Sequence, residues 1–339
     1  MITNINIRNY KSVVNVNLPI GRFNLLIGAN GCGKTNILEG IALAAAASSD
    51  KLDYEYFANR GIRIVAPRLM LPAFDGMEID TITVNIKNDN DVVFDIRYNK
   101  DARPARWEAE QVYSKDANPD ISQFLIFSLE ESVLRKADDS NRTYPLGLHG
   151  EGLFPYLKNL AQRDDGISIF DEIKENLKIL DWFDDMQVPS NQLSSEFNLK
   201  LKDSYLSDTL NTFDQRSTNE GFLYLLFYLT LIISDETPRF FAIENIDTAF
   251  NPKLCREVTR RLIKLAKKHN KQIVATTHNP AILDGLDLSD EGQKLMVVQR
   301  SVDGYTKVRT LKKEEVMNCE LPLSQLWLRG FVGGLPNNF

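Results

Sequence analysis

The 339-residue chain has only three cysteines, Cys32, Cys255 and Cys319, far apart and odd in number. That argues against a disulfide framework or a metal knuckle and fits the reducing cytoplasm. No apolar run reaches the roughly 18 residues of a membrane span, so no membrane partner is expected. The opening Met1-Ile2-Thr3-Asn4 has neither the charged nor the apolar block of a secretory leader. An excess of basic charge is also missing: the formal net charge is −6. This argues against a globally basic nucleic-acid binder and leaves room only for a local patch. There is no internal repeat, no low-complexity tract and no heptad run long enough for a coiled-coil arm. Of the few histidines, His149 and His269 have no companions at metal-site or triad spacing.

What is present reads as α/β. Residues 2–8, 13–18 and 23–27 are three short predicted strands separated by Asn, Lys, Pro and Gly. The third runs into GANGCGKTNILEGIALAAAA, Gly-rich first and helix-forming after, which makes a strand–loop–helix unit. Residues 80–99 alternate apolar and polar around Asn88-Asp89-Asn90-Asp91, as a hairpin does. Residues 120–136 and 151–188 read mostly as helix. From about residue 211 a second ordered block gives an apolar helix (217–234), a strand (239–243), a helix (252–268), a strand (272–276) and a helix from Pro280. A hairpin around Val302-Asp303-Gly304 and a helix from about Leu323 follow. Alternating strands and helices at both ends predict a mixed sheet flanked by helices. The expected division is a core of 1–50 and 205–310, a mainly helical inserted lobe with the hairpin (51–204), and a C-terminal helix and tail (311–339). The apolar Leu335 and Phe339 of that tail either fray or dock.

Gly28-Ala29-Asn30-Gly31-Cys32-Gly33-Lys34-Thr35 matches G-x-x-x-x-G-K-[ST] in full. In that pattern glycines turn backbone N–H groups towards phosphates, the Lys neutralises β/γ oxygens, and the Thr hydroxyl meets Mg²⁺. The helix opening at Lys34 adds its dipole. Asn30, Gly31, Gly33, Lys34, Thr35 and Asn36 are the predicted nucleotide-binding set, with ATP and Mg²⁺ as cofactors.

INIRNYKSVVNVNLPIGRFNLLIGANGCGKTNILEGI resembles the amino terminus of the RecF, SMC and overcoming-lysogenization-defect (OLD) branch of ABC-type P-loop ATPases. The N-Y-K-S turn and the Asn30-Gly31-Cys32-Gly33 loop core carry the likeness, which covers about 1–48 and 211–285. Within the branch the chain looks most like the small stand-alone ATPases of bacterial antiphage defence operons, which sit beside a separate effector gene. The resemblance implies an ABC-type head with an inserted lobe, and an ATP-dependent homodimer.

Three further pieces follow from it. Arg216-Ser217-Thr218-Asn219-Glu220-Gly221-Phe222 stands where the family has its signature, implying a trans phosphate contact by Ser217 and Gly221. Ser217-x-x-Glu220 also reads as a helix capping box. Glu244, after an apolar run, takes the place of the Mg²⁺-associated carboxylate; the competing reading is a loop cap. Asp247-Thr248-Ala249-Phe250-Asn251 resembles the dimer-contacting D-loop, with Asn251 in place of its usual Asp. His278, at the end of the next strand, stands where the family contacts the γ-phosphate. The family's Gln after the first helix is absent, since no Gln precedes Gln111. The segment NRGIRIVAP (59–67) is the expected counterpart, with no replacement ligand identified.

Asn245 occupies the position of the family's catalytic Glu. An amide orients water but takes no proton at neutral pH, and a general base is worth about 10²–10⁴-fold. Slow hydrolysis and a long-lived ATP-bound dimer are therefore expected, with Asp247 as a candidate distant base. The implied function is control of a partner effector, a nuclease or toxin encoded nearby, in antiviral defence. The alternative is a RecF-like DNA clamp in repair, since Lys253, Arg256, Arg260, Arg261, Lys264, Lys267 and Lys268 crowd one helix. No carboxylate cluster like that of the OLD nucleases follows residue 290.

Overall fold

The computed structural model describes residues 1–88, 91–111, 119–136, 145–188, 199–207, 212–316 and 319–335. Hairpin residues 89–90, residue 211, where the second block was expected to begin, and tail residues 336–339, Phe339 included, lie outside that set.

In chain order, β1 (Asn4–Tyr10), β2 (Val13–Pro19) and β3 (Phe23–Ile27) lead into α1 (Lys34–Ser48), α2 (Tyr54–Ala58) and α3 (Pro67–Met70). Next come β4 (Thr81–Lys87), β5 (Asp91–Asn99), β6 (Arg106–Gln111), α4 (Pro119–Ser122), β7 (Ile126–Phe127) and α5 (Glu131–Leu134). Then follow α6 (Leu153–Leu160), α7 (Gly166–Leu177), β8 (Phe183–Gln187), β9 (Lys200–Asp203), β10 (Thr212–Phe213) and α8 (Glu220–Ile233). The last are β11 (Phe240–Ile243), α9 (Pro252–Lys268), β12 (Gln272–Thr276), β13 (Gln293–Arg300), β14 (Thr306–Leu311) and α10 (Leu323–Leu328).

The chain divides into two compact units: Met1–Ile126 with Pro238–Ile246 and Gln272–Phe339, and Phe127–Thr237 with Asp247–Lys271. The first holds an antiparallel sheet in the order β2-β1-β4-β5-β6 and a mixed sheet in the order β14-β13-β3-β12-β11-β7, whose last strand lies at the unit boundary. β3 runs parallel to both β12 and β13, and β11 parallel to β12. This is the predicted mixed α/β fold. β3, β11 and β12 are buried at every position, as strands covered on both faces are, the polar Asn24, Gln272 and Thr276 included. β1, β4 and β5 alternate, and their inward residues Ile5, Ile7, Ile82, Val84, Ile86 and Phe94 share one core with α1.

Hairpin β4–β5 forms as expected, but β4 pairs with β1, Ile7 opposite Val84. It thus belongs to the unit that begins at Met1 rather than to a segment starting at residue 51. Alternation reveals that a strand has a buried face, not which sheet covers it. Residues 151–188 are not all helix: Phe183–Gln187 form β8, where Phe183 stacks on Phe222 and Met186 is buried. The helix expected from Pro280 is a 3₁₀ turn, Pro280–Gly285, capped by the Asn279 side chain. The tail docks as far as Gly334, which is buried, and the Val332 carbonyl accepts from Arg309 at 2.8 Å.

In the second unit α8 is buried at every position after Glu220. The buried Lys271 ammonium donates to the Ser234 and Thr237 carbonyls beyond its C-terminus (2.7 and 2.9 Å). No described helix is long and apolar enough to cross a membrane.

Candidate nucleotide site

The parallel neighbours β3, β12 and β11 end side by side, and each C-terminus delivers a predicted site residue. β3 opens into the phosphate loop, β12 into Thr277-His278, and β11 into Glu244-Asn245. Crevices at the carboxyl ends of parallel strands are where open α/β sheets bind ligands.

The loop's shape depends on two glycines. Gly28 has φ 151°, and a Cβ there would lie 2.1 Å from the Val298 carbonyl oxygen. Gly33 has φ 111°, with a Cβ 2.1 Å from Thr306 Oγ1. No side chain caps the N-terminus of α1 at Gly33, and its first turn contains no acid. Its N–H groups and dipole are thus available to an anion.

Lys34 is buried and donates through Nζ to the carbonyls of Gly28 (2.8 Å) and Ala29 (3.2 Å). Burial lowers its pKa, opposed by Cys32 and by the Glu244 carboxylate. Asn30 and Gly31 are exposed at the loop tip. The Thr35 hydroxyl donates to Glu244 Oε1, so the two predicted metal ligands are in contact. This all-oxygen pair suits Mg²⁺, which binds through one or two protein oxygens and completes its shell with water and phosphate.

Asn245 is exposed at φ 52°, and its main-chain N–H donates to Thr276 Oγ1 at 2.9 Å. The left-handed region admits Asn far more readily than Glu. His278 is exposed just past β12, where the Thr277 N–H donates to the Leu26 carbonyl at 3.3 Å.

A polar cluster behind the loop was not foreseen from sequence. Asn36 donates to Ser12 Oγ (2.7 Å), which meets Thr306 Oγ1 (2.7 Å), which in turn donates to the Cys32 carbonyl (3.0 Å). Arg63 donates to Asn36 Oδ1 (2.9 Å) and to the fully buried Glu39 (2.6 Å), which also accepts from Lys11 (2.6 Å). The Arg63 pKa is raised, chiefly by its hydrogen bond to Glu39 and in smaller part by Glu244. Two signals pointed here: an acid inside the otherwise apolar ILEGIALAAAA, and the N-Y-K-S turn.

Ser217, Gly221 and Asp247 lie in the second unit. The expected capping box is not formed. α8 begins at Glu220, and Asn219 is its N-cap, accepting from the Phe222 N–H at 2.9 Å. Ser217 sits two residues upstream, its N–H and hydroxyl both on Asp214 Oδ1 (3.2 and 3.3 Å). An Asn at the capping position and an Asp three residues before Ser217 divide the work that the pattern assigned to Ser217. A Cβ at Gly221 would lie 3.0 Å from the Ala249 carbonyl oxygen, so glycine allows the 247–251 loop its close approach to α8. Burial raises the pKa values of Tyr228 and Cys255, and the half-buried Asp247 adds to both. Asn251 caps α9, accepting from Leu254 N–H at 3.0 Å. On the basic face of α9, Arg260 pairs with Glu257 and Lys268 with Glu172, and Arg261 donates to the Asn176 carbonyl.

Residues 23–284 match the family described as "AAA domain, putative AbiEii toxin, Type IV TA system". No curated protein matches the sequence. The chain is similar in structure to an SMC head bound to the C-winged helix domain of ScpA, with TM-score 0.62 and 17% identity over 93% of this chain and 99% of that one. It is similar to a Pyrococcus furiosus Smc head with an extended coiled coil bound to the C-terminal domain of ScpA (0.62, 13%, 93% and 97%). A third likeness is to an SMC head domain from Thermotoga maritima (0.53, 14%, 92% and 99%). At these identities the likeness shows the fold alone, that of an SMC head domain.

Proposed function

The chain belongs to this AAA-domain family, and on that basis we propose that it binds ATP with Mg²⁺, closes into a homodimer around the nucleotide, and hydrolyses it slowly. The supporting observation is Asn245. Its backbone is tied to Thr276 directly after Glu244, so an amide stands where the neighbouring strand ends gather. Thr35 and Glu244 would hold the metal, which neutralises phosphate charge when bound. Lys34 and the α1 N-terminus bind the phosphates. His278 faces the reacting phosphate, and Asn245 orients water without accepting its proton. In the dimer Ser217 and the start of α8 meet the nucleotide held by the other protomer, with the Asp247 loop at the same junction.

The ATP-bound dimer is the working state and holds a partner effector protein, a nuclease or toxin, in antiviral defence. The toxin description of the family and the ScpA-bound SMC heads support a protein partner. Sedimentation with ATP, ADP or no nucleotide, paired with turnover assays, tests the reading on wild type, Lys34→Ala, Asn245→Asp and Asn245→Glu. Wild type dimerises with ATP and turns over slowly, and Lys34→Ala does neither. An acid at position 245 raises turnover by about 10²-fold and shortens the life of the dimer. Asp suits the positive φ and Glu supplies the reach, so failure of both rejects the base argument. A wild type that stays monomeric in ATP rejects the dimer.

A further inference from the structure

Residues 214–219, just before α8, owe their shape to a side chain 80 residues away. Arg135, at the C-terminus of α5, donates through Nη1 to the carbonyls of Gln215 (3.3 Å), Arg216 (3.0 Å) and Thr218 (2.9 Å). Its Nε and Nη2 both reach Glu131 Oε1, at 2.9 and 2.6 Å. One planar guanidinium therefore gathers three carbonyls of a four-residue turn at Nη1, whose two N–H groups are shared among them, while its Nε and Nη2 are held in orientation by a carboxylate.

The geometry has a chemical consequence. In a trans peptide the C=O and the following N–H point in opposite directions. Drawing the Arg216 and Thr218 carbonyls towards Arg135 turns the N–H groups of Ser217 and Asn219 away from it. The Ser217 N–H turns to Asp214 instead, meeting its carbonyl oxygen at 3.1 Å and its Oδ1 at 3.2 Å. The buried Thr218 hydroxyl has no hydrogen-bond partner among the described residues. Charge matters as well, because Glu220 lies in the first turn of α8, where a phosphate is expected. Burial and the adjoining Glu131 raise the Glu220 pKa, while Arg135 lowers that of Glu131. Removing Arg135 would leave two neighbouring carboxylates uncompensated at the helix start.

We propose that Arg135 is a positioning residue for the trans-phosphate contact, fixing the Gln215–Thr218 turn so that Ser217 and the α8 N-terminus meet the nucleotide of the other protomer. This rests on the sandwich dimer above, and the test separates the two. Full-length Arg135→Ala and Arg135→Lys are compared with wild type for single-site binding of a fluorescent ATP analogue, for kcat and KM, and for melting. Analogue affinity stays within about twofold, because Lys34 and the phosphate loop belong to the other unit. The turnover number kcat falls by about 10²-fold, the cost of a contact misplaced by an ångström. Lysine rescues little, since an ammonium cannot span three carbonyls and Glu131 together. It also keeps the charge, so the test survives if the alanine variant fails to fold.

The decisive arm mixes Arg135→Ala with Lys34→Ala. A head-to-tail dimer of the two contains one composite site with an intact phosphate loop facing an intact signature turn. Activity above the sum of the separate variants supports the proposal. Loss of kcat without complementation, in a wild type that dimerises with ATP, puts Arg135 in cis and overturns it. Wild-type kcat in Arg135→Ala overturns it too. A wild type that never dimerises in ATP fails at the earlier step.

Discussion

Replacing Glu39 with alanine removes the acceptor on which the cluster behind the phosphate loop converges. Glu39 is fully buried and accepts from Arg63 Nε and Lys11 Nζ, both at 2.6 Å, from the Arg63 main-chain N–H at 3.1 Å and from the Tyr10 hydroxyl at 3.3 Å. Deleting one member of a buried ion pair costs about 3–5 kcal/mol because the remaining charge is stranded. The two cations differ in their escape. The Arg63 side chain is 59% exposed and turns to water, whereas Lys11 is only 12% exposed. One stranded ammonium rather than two places the loss near the lower bound, ~3 kcal/mol. Glu39→Gln keeps an acceptor and costs less, about 1–2 kcal/mol. Adding Lys11→Met removes the stranded charge and recovers part of that, a coupling of about 1 kcal/mol in the double-mutant cycle. Two units make a single unfolding transition an unsafe gauge, so the measurement is hydrogen exchange of α1 amides.

The same cluster predicts a pH dependence. Burial pushes the Glu39 carboxyl up, but Arg63 and Lys11 outweigh it and hold the group below its usual value. A depressed folded pKa contributes stability that is complete above the unfolded value of about 4.3 and is lost as pH falls through the folded one. Protection of α1 should therefore decline with acid below that point in wild type and much less in Glu39→Gln. Glu39→Ala within about 0.5 kcal/mol of wild type, the range of ordinary surface changes, would refute the reasoning.

Gly33→Ala sets a Cβ against Thr306 at a φ that L-residues avoid. A strain of about 1–3 kcal/mol should fall on the loop, weakening ATP-analogue affinity at least about tenfold while far-UV circular dichroism stays unchanged. Cysteine labelling reads burial directly. Cys319 is exposed, whereas Cys32 and Cys255 are buried and burial raises both thiols, Cys255 to about 12. Iodoacetamide at pH 8 followed by mass spectrometry should modify Cys319 alone in the native protein. Equal labelling of Cys255 would contradict the packing of α9.

Much of this molecule was legible in its residues because local rules governed it. A phosphate loop is contiguous, so its glycines, Lys34 and Thr35 declare themselves together, as do the buried strand 23–27 and helix 252–268. Asn245 also stood out at once, because a single position in a linear motif carried the wrong functional group. Other features depended on pairing across long separations. Alternation in 80–99 could not reveal that β4 lies on β1, since a polar–apolar period fixes a face and leaves its partner open. Ser217 looked like a cap until the packing of α8 moved the helix start to Glu220 and gave the task to Asn219. Arg63 and Arg135 carry no local signature. An arginine in a loop is solvated by default, and only the folded chain supplies Glu39 and Asn36 to the one, and three distant carbonyls to the other, whose Glu131 partner lies one helical turn away. Sequence alone singled out the groups proposed to meet a phosphate. Tertiary structure decided what holds them still, because charge compensation and turn geometry arise from residues that come together only when the chain folds.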